Sequence, residues 1–299
     1  MKLSTTQALQ AAGLDPTVVE RIVRGALDED LGPERRDVTS VATVPDEQVD
    51  TADVVARADG VVAGLAVAAA VFDLAATRTV RVLPVAADGD RVARGDVLAT
   101  VTGPTRSLLS AERTALNLLS RMSGVATHTR AWVEALAGTK ATVLDTRKTT
   151  PGLRALEKYA VRAGGGANKR MGLFDVAMIK DNHKLAAGGI GPAYRRVREA
   201  FPDVPVQVEV TSVAEAVEAL EVGADFLLCD NMTPALLTEV VAAVGDRAEL
   251  EATGNLTLDT VAEYAATGVD YLSVGALTHS SPILDIALDL RPARPRARD

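Results

Sequence analysis

From residue 141 onward the chain repeats one unit, a short apolar and β-branched run followed by an amphipathic helical stretch. Strand-like runs fall at 141–144, 176–179, 206–210, 226–228, 249–252 and 271–274. Helical spacing covers 153–163, 191–200, 213–221, 234–244 and 256–266, with a last helix expected near 282–290. Six βα units in succession leave few options. Each strand pairs with a parallel neighbour, each crossover is right-handed, and the simplest product is a closed α/β barrel. Polar residues gather at or just past the strand ends: Asp145, Arg147 and Lys148; Lys180 and Asp181; Glu209; Asp230 and Asn231; Thr253, Gly254 and Asn255; Gly275. In barrels of this kind that face carries the chemistry.

The first third reads differently. A helix is expected over 17–27, then short strands at 51–56, 61–63, 80–84 and 97–101, separated by Gly and Asp turns. A long helix over 112–136 lines up Ala115, Leu118, Leu119, Met122, Val125 and Ala126 on one face. The piece 87–101 resembles the hammerhead of biotinyl and lipoyl carrier domains. Such carriers need a lysine to bear the cofactor, and none lies between Lys2 and Lys140. Carrier function is excluded.

Composition removes further classes. At 299 residues with 47% hydrophobic and 24% charged, the chain can bury a substantial core. The single Cys229 rules out an intrachain disulfide or a cysteine zinc cluster and fits a reducing cytosol, so a cytoplasmic location is expected. The N-terminus lacks the apolar core of a signal peptide. The apolar stretch 61–74 is too short to span a bilayer and is broken by Asp73, so no membrane association is expected. Aromatics at 3% are too sparse for base-stacking platforms, and nucleic acid is not an expected partner. The basic, Pro-interrupted tail from 291 is expected to fray.

Charge is distributed unevenly. Residues 145–184 hold nine Lys/Arg against four acids, a local +5 in a chain of net −8. A small, highly anionic ligand explains such a concentration; a solvated basic helix face is the alternative. Arg147, Arg170 and Lys180 suit carboxylates or phosphates, unless they serve as structural ion pairs. Glu209 and Asp230 could hold Mg²⁺, ribose hydroxyls or a developing cation, or simply pair with Lys148 or Lys180. Gly254 and Gly275 open loops whose backbone N–H groups can cradle a phosphate, with His279 as a further donor. His128 reads as structural, and His183 as a helix-start or site-rim residue. Cys229 reads as a buried small hydrophobe. No Ser/His/Asp arrangement, Walker loop or dinucleotide fingerprint is present.

Several motifs carry a resemblance to one family. They are Glu112-Arg-Thr-Ala-Leu-Asn with Arg121-Met-Ser-Gly-Val-Ala-Thr, Asp145-Thr-Arg-Lys-Thr-Thr-Pro-Gly-Leu-Arg, Lys158-Tyr-Ala-Val, Gly164-Gly-Gly and Ile179-Lys-Asp-Asn-His. Glu209-Val, Cys229-Asp-Asn-Met, Glu251-Ala-Thr-Gly-Asn and Ser273-Val-Gly-Ala-Leu-Thr-His complete the set. Together they resemble the quinolinate phosphoribosyltransferase family, the carboxylating nicotinate-nucleotide pyrophosphorylases. The similarity runs from the Asp28-Glu-Asp-Leu-Gly segment, with Asp37-Val-Thr-Ser after it, nearly to the C-terminus.

The resemblance implies an α/β protein with an N-terminal open-faced α/β sandwich over 1–111, joined by the tail 285–299, and an incomplete α/β barrel over 112–284. It implies a homodimer, or a higher homo-oligomer, whose active sites are shared. Phosphoribosyl would pass from phosphoribosyl pyrophosphate to quinolinate with decarboxylation, giving nicotinate mononucleotide, pyrophosphate and CO₂. By the same resemblance Arg147, Arg170 and Lys180 would hold the two carboxylates of quinolinate, helped by Arg113 from the neighbouring subunit and joined by Lys169. Lys148, Glu209 and Asp230 would be the catalytic groups that meet phosphoribosyl pyrophosphate, with Glu209 and Asp230 as ligands of Mg²⁺ and Thr149 beside them. Thr253, Gly254, Asn255, Gly275, Ala276 and His279 would take the 5-phosphate. One departure stands out. The family usually has His before the arginine of its Asn-x-Arg motif, and this chain has Lys169, a cation without an imidazole's pH-dependent charge. No proton-transfer role is assigned to it. The alternative is a paralogue of the same fold acting on another acceptor, such as a molybdenum-transport-associated relative or a nicotinate phosphoribosyltransferase.

Overall fold

The computed structural model describes residues 1–76 and 78–291; the expected frayed tail beyond Arg291 lies outside the described residues. Along the chain come α1 (Leu3–Ala11), α2 (Pro16–Leu31), α3 (Val38–Thr43), β1 (Val49–Ala56), β2 (Gly60–Val61), α4 (Leu65–Ala75), β3 (Arg81–Pro84), β4 (Arg91–Val92) and β5 (Val97–Pro104). Then follow α5 (Thr105–Ala135), β6 (Thr142–Leu144), α6 (Arg154–Ala163), β7 (Ala177–Ile179), α7 (Asp181–Ala187), α8 (Ile190–Ala200), β8 (Val206–Val210) and α9 (Val213–Glu221). The chain continues with β9 (Phe226–Asp230), α10 (Pro234–Val244), β10 (Glu249–Thr253), α11 (Val261–Ala266), β11 (Tyr271–Ser273), α12 (Ala276–His279) and β12 (Ile286–Leu290).

These elements fall into two compact units. The first comprises 1–128, 150–165 and the stretch from Ser281; the second comprises 129–149 and 166–280. This division places 112–128 and 150–165 with the first unit, where the sequence had put them in the barrel part.

In the first unit a four-stranded antiparallel sheet runs β12-β1-β5-β3, beside a two-stranded pair of β2 and β4. Helices α1, α2 and α4 pack on one another, and α4 also meets β3. Helix α2 starts where Asp15 Oδ1 accepts the Thr17 N–H at 2.8 Å with Pro16 in the first turn, and it buries Val19, Val23 and Leu27. Helix α4 departs from the expected run of strands. Its apolar residues lie all round, so no 3.6-residue period marks it, and six of its eleven residues are buried. Asp88, in the hammerhead-like piece, caps it by accepting the N–H groups of Gly64 and Leu65.

A second departure lies at the end of the described chain. The helix expected near 282–290 is instead strand β12, antiparallel to β1 with Ala52 opposite Leu290 and Ala56 opposite Ile286. Ile-Ala-Leu-Asp-Leu is ambiguous in isolation, and the unpaired edge of β1 decides it through long-range backbone hydrogen bonds.

The second unit is built on a six-stranded parallel sheet ordered β6-β11-β10-β9-β8-β7. Its ladders leave β6 and β7 as edges; beyond β6 there is one isolated parallel bridge, Leu144 to Ala167. The barrel is thus incomplete rather than closed. All five residues of β8 are buried, as expected of a parallel strand covered on both faces. Helix α11 is shorter than the sequence pattern, because Thr257 and Thr260 bond each other's side chains in a turn ahead of it.

Candidate active site

The end of β6 shows how the site is pinned. Asp145 is fully buried, and its carboxylate accepts Asn168 Nδ2 at 2.6 Å and the Lys169 backbone N–H at 2.9 Å. Ala167 N–H reaches back to Val143 O at 2.9 Å. The basic Asn-Lys-Arg segment is thereby fixed beside the strand end that carries Arg147 and Lys148. Sequence placed Asp145 at a strand end without a role; its work is to orient the residues around it.

One cavity of about 390 Å³ gathers most of the expected residues: Arg147, Lys148, Lys169, Arg170, Lys180, Asp230, Thr253, Gly254 and Asn255 all line it. Its size suits a small anionic ligand. Burial holds the Arg170 guanidinium below its ordinary range, and the neighbouring Arg147 charge adds to that depression. Two cations sharing a partly buried wall are stabilised by an anion between them. Arg170 is oriented by Val176 O, to which it donates at 3.1 Å.

Lys180 Nζ donates to Glu209 Oε2 at 2.8 Å; Glu209 is 7% exposed and Lys180 47%. The simple pairing allowed for Glu209 is therefore realised, with Lys180 rather than Lys148. Lys180 precedes α7, where its backbone N–H donates to His183 Nδ1 at 2.9 Å, so His183 is a helix-start residue. His128 meets Ser281 Oγ at 2.8 Å and is held below its ordinary pKa by burial, in keeping with a structural role.

Two βα loops are shaped by asparagines that the sequence placed at strand ends without joining them to each other. Asn231 and Asn255 both take left-handed backbone angles, φ 52° and 51°. Asn255 Nδ2 donates to Asn231 Oδ1 at 3.2 Å, and Asn231 Nδ2 donates to Asp230 Oδ2 at 2.9 Å. Between them Gly254, at φ +94°, has no room for a side chain: a Cβ would lie 2.1 Å from Asn231 Oδ1. Gly275 is required for a different reason. Its φ is ordinary, but a Cβ would sit 2.8 Å from Lys148 Cδ and 3.2 Å from His279 Nε2. Lys148 also takes a Thr278 Oγ1 hydrogen bond on its carbonyl at 2.8 Å. The structure thus brings Gly275 and His279 to Lys148, with Ala276 opening α12.

Thr149 follows Lys148 but does not line the cavity, and Arg113 is exposed on α5. Lys169 does line it, yet its ammonium is bound by the buried Glu251. Glu251 stood within a recognised motif, but nothing local in the sequence joins it to Lys169. Among the described residues no group of three His, Cys, Asp or Glu side chains forms a ready-made metal cage. The two carboxylates Glu209 and Asp230 suit a cation that arrives with phosphate oxygens completing its shell.

Known proteins resemble this chain in sequence and in fold. The family described as quinolinate phosphoribosyl transferase, N-terminal domain, matches residues 37–123, and its C-terminal domain counterpart matches 125–289. The chain is 51% identical to the nicotinate-nucleotide pyrophosphorylase [carboxylating] of Mycobacterium leprae (strain TN), over 90% of this chain and 95% of the relative. It is 42% identical to the probable nicotinate-nucleotide pyrophosphorylase [carboxylating] of Bacillus subtilis (strain 168), over 88% and 90%. The crystal structure of NadC from Streptococcus pyogenes superposes with a TM-score of 0.88 at 38% identity, covering 93% of this chain and 99% of that one.

Proposed function

The chain belongs to the quinolinate phosphoribosyltransferase family, and from that premise we propose how its site performs the family's reaction. The enzyme transfers phosphoribosyl from phosphoribosyl pyrophosphate to quinolinate with decarboxylation, giving nicotinate mononucleotide, pyrophosphate and CO₂ in NAD biosynthesis. The observation that carries the site assignment is the convergence of Arg147, Arg170 and Lys180 with Asp230 on one cavity.

Arg147 and Arg170 take the acceptor's carboxylates as planar forks, and Lys180 adds a compact charge. With both carboxylates held, the pyridine nitrogen is aimed at C1′ of the ribose. Lys148, Glu209 and Asp230 meet the pyrophosphate side of the donor. Asp230 is half-buried and engaged by Asn231, which leaves it oriented toward cationic charge that develops at C1′. Glu209 and Asp230 would hold Mg²⁺, which when bound supplies neutralisation of the departing pyrophosphate. The Thr253-Gly254-Asn255 and Gly275-Ala276 loops present bare N–H groups to the 5-phosphate, with His279 beside them. Once the new pyridinium forms, its positive charge stabilises the carbanion left when the C–CO₂ bond breaks, and a proton taken up from solvent at that carbon completes nicotinate mononucleotide. A cationic wall strengthens each contact.

The proposal extends to assembly and place. The protein acts as a homodimer or higher homo-oligomer in which Arg113, exposed on α5, completes the neighbouring subunit's acceptor site. A cytoplasmic location fits the single buried thiol of Cys229. No described helix is long and apolar enough to cross a membrane.

The test is product analysis. Quinolinate, phosphoribosyl pyrophosphate and Mg²⁺ should yield nicotinate mononucleotide and CO₂ in equal amounts, and chelation of Mg²⁺ should stop turnover. Turnover of nicotinate with no use of quinolinate would overturn the assignment.

A further inference from the structure

Barrel interiors are normally filled by layers of apolar side chains. Here the layer below the cavity is polar. Alternate positions of β8 and β10 share a face with the site residues, which puts Gln207 beneath Glu209 and Glu251 beneath Thr253. Glu251 and Gln207 are both fully buried. Lys169 reaches down to them: its Nζ donates to Glu251 Oε1 and lies 5.9 Å from the Phe226 ring centroid. The second Glu251 oxygen accepts Gln207 Nε2 at 2.8 Å. Gln207 Oε1 is buried with no hydrogen-bond partner among the described residues, so the amide is committed to the carboxylate at the expense of its own acceptor.

A buried carboxylate is costly unless paired, and an apolar layer would fill the same space without that cost. Glu251 touches no substrate, being wholly buried. It reaches the cavity through Lys169, whose side chain is 8% exposed and lines it. We propose that Glu251, braced by Gln207, is a positioning residue that fixes the Lys169 ammonium at the cavity floor and makes position 169 a specificity element for an anionic acceptor.

The charges around Lys169 give this arrangement its purpose. Burial pulls the lysine below its ordinary pKa, Glu251 pushes it back up, and Arg170 and Lys180 pull it further down. From β9 the Phe226 ring face lies against it, and from β8 the neutral amide of Gln207 holds the far oxygen of its partner Glu251. Asp145 accepts the Lys169 backbone N–H and is shared with Asn168. Burial raises the Cys229 thiol and the Tyr271 phenol, and the Glu251 charge adds to both. Remove that charge, and burial together with Arg170 and Lys180 pulls the ammonium toward the neutral amine without its main counterweight.

This inference rests on the quinolinate reading, and the experiment keeps the two apart. KM and kcat for quinolinate are measured at saturating phosphoribosyl pyrophosphate and Mg²⁺ from about pH 6 to about pH 9. Wild-type turnover is the control: its absence would sink the quinolinate reading itself. Glu251→Gln should introduce a midpoint inside this range, above which quinolinate KM climbs about tenfold per pH unit while the donor's KM holds. Glu251→Asp, which keeps the charge, should restore a profile close to wild type. In a Lys169→Met background, Glu251→Gln should raise quinolinate KM no further. A Glu251→Gln profile parallel to wild type, or a full additional KM rise in the Lys169→Met background, would overturn the proposal. Should Glu251→Gln fail to fold, ¹⁵N NMR of the lysine ammonium groups in the wild-type enzyme decides. A Lys169 charged through neutral pH supports the proposal, and one already neutral at pH 7 overturns it.

Discussion

Asn168 Nδ2 donates to Asp145 Oδ2 across 2.6 Å, so the end of the first barrel strand and the basic segment that follows α6 behave as one piece. The same carboxylate holds the Lys169 backbone N–H. Asp145→Ala should therefore act on residues it does not itself replace. Each orphaned donor costs about 1–3 kcal/mol, and the displaced Lys169 and Arg170 should raise quinolinate KM with little effect on the donor's KM. Thermal unfolding together with steady-state kinetics checks both; an unchanged quinolinate KM would remove Asp145 from the site's framework.

Two glycines make a contrasting pair. Gly254→Ala meets a left-handed φ and a contact of 2.1 Å with Asn231, so it should lower Tm and weaken donor binding together. Gly275→Ala has an ordinary φ and meets only the Lys148 and His279 side chains, so the fold should hold while those side chains are displaced and donor KM rises. Equal stability losses in the two variants would contradict this distinction.

Arg147→Ala should leave a folded protein that binds quinolinate poorly. Losing one partner of a buried charge-assisted contact costs about 2–5 kcal/mol. Isothermal titration of the variant with quinolinate reads the loss directly, and unchanged affinity would return Arg147 to a structural ion pair.

Complementation tests the shared site. Subunits carrying Arg113→Ala mixed with subunits carrying Arg147→Ala should recover part of the activity, since one site per heterodimer keeps both arginines. No recovery, with subunit exchange demonstrated, would count against Arg113 acting across an interface.

Cys229 should be inert. It is 1% exposed, and burial with the nearby Glu251 charge pushes its thiol up to about 12, so thiolate is scarce at neutral and mildly alkaline pH. Iodoacetamide should label it only after unfolding in guanidinium, with mass spectrometry as the readout; rapid labelling of the native enzyme would show that the strand opens.

Much of the barrel was legible because its signal is local. β8 lies at 206–210 as expected, and the expected runs at 226–228 and 249–252 fall inside β9 and β10. Apolar β-branched runs bounded by Gly, Asp and Pro declare themselves without knowledge of their partners. The same locality placed Arg147, Lys180, Glu209 and Asp230 at strand ends, and the cavity gathers Arg147, Lys180 and Asp230 there, with Glu209 held on Lys180.

What eluded the sequence depended on distant partners. Residues 286–290 carry a pattern that suits either a helix or a strand, and the edge of β1, more than 200 residues earlier, selects the strand. The left-handed turns at Asn231 and Asn255 exist because the two side chains meet across neighbouring loops, 24 positions apart. Lys169 read as a cation for the substrate; in the fold its ammonium goes to Glu251, 82 residues away, because only the assembled sheet brings that buried carboxylate within its reach. Sequence by itself determined which residue types stand at each strand end, since period and side-chain chemistry are written locally. Tertiary structure alone decided which charges neutralise one another, because pairing depends on distance and burial, and neither exists until the strands have been brought side by side.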